Sequence, residues 1–155
     1  MQDAFGGLLS MGIIVFFLVL VTGILGFTYS YAKAFRMKDF VITAFEQYDA
    51  LGCVTDENSS SDDTACKNLI RQRADQLAYS THLNCEDHEE EVGVDNLFCY
   101  KVVDKLTDDK SNSYTRIYEI TTQVDIDIPV INNLFGLRIF QVHGATRELK
   151  VFNKG

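Results

Sequence analysis

The chain has 155 residues, 46% of them hydrophobic, with no Trp, one Pro and a formal net charge of −8. That length allows one membrane-spanning or filament-core element plus about 100 residues for a single modest core, and excludes a larger assembly of domains. The charge is concentrated, with 14 Asp/Glu against 6 Lys/Arg between Cys53 and Lys110; this excludes a nucleic-acid surface, which needs a basic stripe to displace counterions.

From Ala4 to Ala32 there is no charged residue, and Leu8 to Phe27 is nearly continuous Leu, Ile, Val, Phe and Gly. At about 1.5 Å per residue, ~20 such residues cross a ~30 Å hydrocarbon layer as a helix. A cleaved signal peptide is not expected, because Met1-Gln-Asp-Ala-Phe carries no Lys or Arg and the apolar run is too long. Two clusters of small residues, Gly6, Gly7, Ser10 and Gly12 at one end and Gly23 and Gly26 near the other, allow close helix–helix approach. With Phe16, Phe17 and Phe27 they are the candidate assembly residues, although Gly is also simply common in spanning helices.

Beyond Phe27 neither Pro nor Gly interrupts the pattern until Gly52, a natural helix-terminating residue, so one helix running to Leu51 is predicted. Phe27, Tyr31, Ala34, Phe35, Val41, Ala44, Phe45 and Tyr48 recur mostly at three- and four-residue intervals. Lys33, Arg36, Lys38, Asp39, Glu46 and Asp49 take most of the remaining surface. Phe40 and Ile42 fall partly off the stripe, which suggests that this half is wrapped on more than one side. The expected organisation is a hydrophobic span over 1–31, its amphipathic continuation over 32–52, and a small disulfide-bonded domain over 53–155.

Cys53, Cys66, Cys85 and Cys99 all follow the apolar segment, which implies two disulfides and an oxidising compartment. Each sequential pair brackets a polar loop of similar size, so Cys53–Cys66 and Cys85–Cys99 are favoured among the three possible pairings. Lys33, Arg36 and Lys38 after the span would place the C-terminus in the cytoplasm by the positive-inside rule. The cysteines argue for an extracytoplasmic domain, and we weight them more heavily. The acidic surface is repelled by anionic headgroups, so the domain is expected to stand away from the bilayer.

Asp63 or Thr64 can cap a second helix through about Tyr79, with Leu69, Ile70, Ala74 and Leu77 on one face. The remainder reads as sheet. Leu97–Leu106 is a strand ending in a turn over 107–112. In Tyr114–Ile128, Tyr118, Ile120, Thr122, Val124, Ile126 and Ile128 face one way, and Glu119, Thr121, Gln123, Asp125 and Asp127 face water. Pro129 to Gly136 breaks the chain with a turn or one helical turn. Leu137–Val142 and Arg147–Phe152 form one bent strand or a pair separated at Gly144. The fold class is therefore α+β: a long N-terminal helix on a small antiparallel sheet of three or four strands, with a short second helix.

No phosphate loop, HExxH or Gly-x-Ser-x-Gly is present, and no catalytic residue, cofactor or metal site is assigned. The run Asn84-Cys-Glu-Asp-His-Glu-Glu-Glu91 gathers carboxylates around His88, but it reads as a solvated acidic loop rather than a cation site. His82 lies just before it, and His143 beside Gly144 reads as a strand-end residue. Four-cysteine zinc binding fails on spacing. Asn58-Ser59-Ser60 matches an N-glycosylation acceptor.

The order of segments, an apolar then amphipathic helix followed by a small disulfide-bonded sheet domain, resembles type IV pilins. The stretch Tyr29-Ser-Tyr-Ala-Lys-Ala-Phe-Arg after the apolar run is similar to the pilin-like TadE-type proteins of tight-adherence pili. The resemblance covers the first ~50 residues in pattern and the rest in plan. The type IV pilin leader motif of Gly, Phe and a later Glu is absent, since Gly7 is followed by Leu8-Leu-Ser-Met-Gly. The resemblance implies a structural subunit of a cell-surface filament, held in membrane lipid before assembly and partnered afterwards by copies of itself or other pilin-like subunits. The alternative is a single-pass membrane-anchored accessory protein: a minor pilin, a secretion-system component or a ligand-binding ectodomain.

Overall fold

A computed structural model describes residues 2–50, 52–54, 64–81, 83, 85, 90–105, 113–125 and 139–152. Expectations for the loop 55–63 with Asn58, for His82 and His88, and for the turns over 107–112 and Pro129–Gly136 lie outside these residues, as do Ile126, Asp127 and Ile128.

Helix α1 runs unbroken over Gln2–Gln47, 46 residues. It stops short of Leu51 because Asp49 and Ala50 adopt positive φ, 49° and 60°. The Ala50 N–H then reaches back to the Phe45 carbonyl at 2.7 Å, a Schellman-type closure with Asp49 in the position usually given to glycine. Gly52 (φ 71°) serves the following turn into Cys53. Helix α2, Thr64–Leu77, ends in the same way: Ala78 has φ 46°, and the Tyr79 N–H bonds to the Ala74 carbonyl at 2.9 Å.

Among the described residues five antiparallel strands follow: β1 (Glu91–Val92), β2 (Cys99–Lys105), β3 (Ser113–Asp125), β4 (Ile139–Ala145) and β5 (Leu149–Phe152). The order is β1-β2-β3-β4, with β5 also on β3, so the sheet is four strands wide. Cys99↔Thr121 and Lys105↔Thr115 bound the β2–β3 ladder, and Glu119↔Ala145 and Asp125↔Ile139 bound β3–β4. β5 continues along the same side of β3 from Arg116↔Leu149, one residue out of step with β4. β4 and β5 are thus one bent strand with a bulge after Ala145 rather than a break at Gly144. Thr146 anchors the bulge by donating its N–H to the Tyr118 carbonyl (2.9 Å) and accepting the Tyr118 N–H on Oγ1 (3.0 Å).

The second half of α1 is the spine of the core. Ala34, Met37, Val41, Ala44 and Phe45 are buried against Tyr118, Ile120, Val124 and Val142 of the sheet and Ile70 and Ala74 of α2. Phe40 and Ile42 also pack on this core, so the helix is wrapped on more than one side as expected. Phe45 sits among three rings, with centroids 5.8 Å from Phe98, 6.0 Å from Tyr100 and 5.3 Å from Tyr118. Both expected disulfides are present, Cys53–Cys66 and Cys85–Cys99. The first fastens the start of α2 beside the end of α1.

Three side chains depart from the expected pattern. Lys38 is buried: its methylenes lie along β4, where a Cβ on Gly144 would come within 2.9 Å of its Cδ. Its ammonium reaches the edge, 3.1 Å from Asp39 and 4.0 Å from the centre of the Phe35 ring. Thr121 and Gln123 are buried although they lie on the face expected to be wet. β2 ends opposite Thr121, and beyond it the Tyr79 hydroxyl takes the place of a neighbouring strand. It donates to the Gln123 carbonyl (2.8 Å) and accepts the Gln123 N–H (3.1 Å).

Candidate functional site

The first half of α1 has no counterpart to this core. Between Leu9 and Leu25 the large apolar side chains are exposed on every side of the helix, Phe16 and Phe17 each by 60%. Among the described residues this is the one helix long and apolar enough to cross a membrane, and its most apolar window is wholly uncovered. The uncovered area is large. A cylinder ~10 Å across and ~25 Å long presents on the order of 800 Å², worth about 20 kcal/mol at ~25 cal/mol/Å². Soluble monomers rarely expose contiguous apolar patches beyond a few hundred Å², so a surface of this size suits lipid or other helices.

Two polar side chains of this half are satisfied within the helix. The Thr22 and Thr28 hydroxyls donate to the carbonyls of Leu18 and Ile24, as an apolar environment requires. A side chain added at Gly7 or Gly12 would meet nothing within 4 Å, so no contact inside the chain requires glycine at either. Gly23 and Gly26 are half-buried, and Phe27 packs on the edge of the core, so these three mark the junction with the domain. Gly6 lies in α1, but its surroundings are outside the described residues.

A regularity along the helix was not read from the sequence. Gly12, Phe16, Val19, Gly23, Gly26, Ser30, Ala34, Met37, Val41 and Ala44 follow one another at intervals of three and four. The last four are buried under the sheet and α2. At about 100° per residue the whole series stays on one side of α1, whereas Gly6, Gly7 and Phe17 lie elsewhere. The apolar half thus carries the domain-facing seam onward, with Gly12, Gly23, Gly26 and Ser30 as its small residues beside Phe16 and Val19. The signal was present in the sequence, but Met37 and Val19 are hard to distinguish from an all-round apolar run.

A second cluster lies on the face of the sheet turned away from α1. Glu90, Glu119, Thr121, His143 and Gly144 line a shallow cleft of about 370 Å³. The buried Thr121 hydroxyl lies 3.3 Å from Glu90 Oε1 and 3.0 Å from His143 Nδ1. With its single proton given to the carboxylate, the hydroxyl oxygen is left to accept from His143 Nδ1–H. The hydroxyl is engaged on both sides and ties a loop to two strands; it is not presented as a nucleophile. Cys85, Glu90 and Cys99 place potential metal-ligating atoms within 4.8 Å of one another. The two sulfurs are bonded to each other, however, and only the carboxylate remains as a donor.

On the rim of the domain, Arg71 grips Asp95 with both ends of its fork, Nε–Oδ2 2.6 Å and Nη2–Oδ1 3.0 Å. The hydrogen bonds from the guanidinium hold the Asp95 carboxyl below its usual range. The pair joins α2 to the turn between β1 and β2, where Asp95 has φ 51°.

No family model, curated protein or solved structure matches this chain.

Proposed function

We propose that the chain is a structural, pilin-like subunit of a cell-surface filament, assembled by lateral association of its N-terminal helices. The observation that carries this reading is the division of α1: one half uncovered all round, the other serving as the core helix of a folded domain. A helix of this kind needs lipid as a monomer and neighbouring helices after assembly, and the uncovered glycines at 7 and 12 suit close helix–helix contact. The two disulfides support an extracytoplasmic domain. The seam leading from the domain into the apolar half, with Gly12, Gly23, Gly26 and Ser30 along it, supports association over simple anchoring.

The same apolar half also fits a single-pass anchor for an accessory protein that never polymerises. Shearing the cell surface separates the two readings. A filament subunit appears in the sheared fraction as a high-mass polymer that sediments. Recovery solely as a monomer in the membrane fraction would sink the filament reading and leave the anchor. Non-reducing peptide mapping gives an independent check on compartment, because four free thiols in the native protein contradict an extracytoplasmic domain.

A further inference from the structure

Resting on the reading of α1 as a membrane span, we infer that the domain does not stand off from the bilayer but seats an aromatic and basic rim in its headgroup layer. The apolar run ends at Phe27, so the hydrocarbon boundary falls near Thr28. The headgroup layer adds ~5–7 Å, or about four residues of helix, which places Tyr29 to Lys33 within it.

At this depth the domain offers surface suited to that layer. Phe140 lies on the core-facing side of β4, yet it is 46% exposed, whereas Val142 on the same face is buried. The sheet therefore overhangs α1 at this end and leaves a phenyl ring uncovered. That ring lies 5.9 Å from Tyr31, which stacks on Phe35 at 6.4 Å and touches Phe27 at 6.2 Å. The aromatic strip is continuous with the apolar half of α1. Aromatic rings favour this boundary between hydrocarbon and water.

Charge at the rim is complementary to lipid phosphate. Lys33 lies over the Tyr29 ring at 4.5 Å and donates to the Ala78 carbonyl at 3.3 Å. Ser30, Lys33 and Ser80 line a hollow of about 110 Å³ at the same level, and Arg36 is exposed one turn further out. Among the described acidic residues, Asp125 ends β3 at this rim, paired with Ile139 beside Phe140, and it is outnumbered there by Lys33 and Arg36. Glu90 and Glu119 lie in the cleft on the far face of the sheet.

The absence of Trp makes the test clean. Phe140→Trp, Phe16→Trp and Val102→Trp variants of the full chain are reconstituted in phosphatidylcholine–phosphatidylglycerol vesicles with bromine at the upper or lower end of the acyl chains. The expected result is blue-shifted emission from Phe140→Trp, quenched most by bromine near the headgroups. Phe16→Trp is quenched most by deep bromine, and Val102→Trp by neither. Unquenched Phe140→Trp beside quenched Phe16→Trp overturns the inference and leaves the span intact. Blue-shifted but unquenched Phe140→Trp also overturns it, because a second copy then covers the ring. No quenching at either position removes the span and the inference together.

Discussion

Phe16 and Phe45 are the same residue type on the same side of one helix, and truncating each separates the two roles of α1. Phe45 is 0% exposed within a cage of Phe98, Tyr100 and Tyr118, whereas Phe16 is 60% exposed. Replacing a caged Phe by Ala removes its transfer free energy and leaves a cavity, together about 3–5 kcal/mol. Out of a total near 5–15 kcal/mol this is a large share. For a domain of about 100 residues each kcal/mol moves the midpoint by roughly 4–8 °C, so Phe45→Ala should melt at least ~12 °C below the parent. Phe16→Ala should leave the midpoint within the ~0.5 kcal/mol typical of a site outside the core. The assay is thermal unfolding of the full chain in detergent micelles, followed by near-ultraviolet circular dichroism. That signal reports fixed aromatic packing, which Tyr79, Tyr100 and Tyr118 lose when the domain unfolds, and not the backbone helicity retained in the micelle. A loss below ~1 kcal/mol for Phe45→Ala, or equal losses for the two variants, would refute the division of α1 into core and uncovered halves.

Three further outcomes follow from particular contacts. Replacing Cys53 and Cys66 together by Ser reopens a loop with a sequence separation of 13; the urea midpoint should fall by the equivalent of about 3 kcal/mol in the chain-entropy account. Gly144→Ala brings a Cβ within 2.8 Å of Ile42 Cδ1 and 2.9 Å of Lys38 Cδ, so it should destabilise the domain by ~1–3 kcal/mol, while Gly12→Ala leaves domain unfolding unchanged. The Asp95 carboxyl is held below its ordinary value in the folded chain by Arg71. Its contribution is therefore present above the unfolded-state value near pH 4 and lost as pH falls through the lower folded value. Because the pair is about half exposed, Asp95→Asn should cost under ~1 kcal/mol at pH 7 and flatten the acid limb of a stability profile.

The features legible in the sequence were those set by local pattern. An uninterrupted apolar run without Pro forms a helix almost regardless of its surroundings, and α1 is continuous well beyond Phe27. Alternation from Tyr118 to Val124 identified the core face of β3. The misread features depend on distant partners or on fine choices between similar residues. Gly52 drew the predicted end of α1 toward itself, yet Asp49 takes the left-handed position three residues earlier. Gln123 looked solvent-facing because nothing near it in sequence announces the hydroxyl of Tyr79, 44 residues away. Lys38 was counted as surface on its charge, although its hydrocarbon stem occupies the space that Gly144 leaves free. The bulge at Thr146 has the same origin, since it is defined by the Tyr118 backbone across the sheet. In the candidate surface, the glycines and phenylalanines were visible as types. Their division between an open seam and the junction with the domain was not, because it depends on where the sheet begins to cover the helix.

The unbroken course of α1 couples azimuth to length. With no hinge between Phe27 and Ala34, the bearing of the domain about the helix axis is set by residue count alone. One inserted residue would turn the domain by about 100° and raise it by about 1.5 Å relative to the apolar half. Four inserted residues, slightly more than one turn, would nearly restore the bearing while lifting the domain by about 6 Å. The helix therefore acts as an indexed shaft on which the direction faced by the sheet is written in the spacing of the chain.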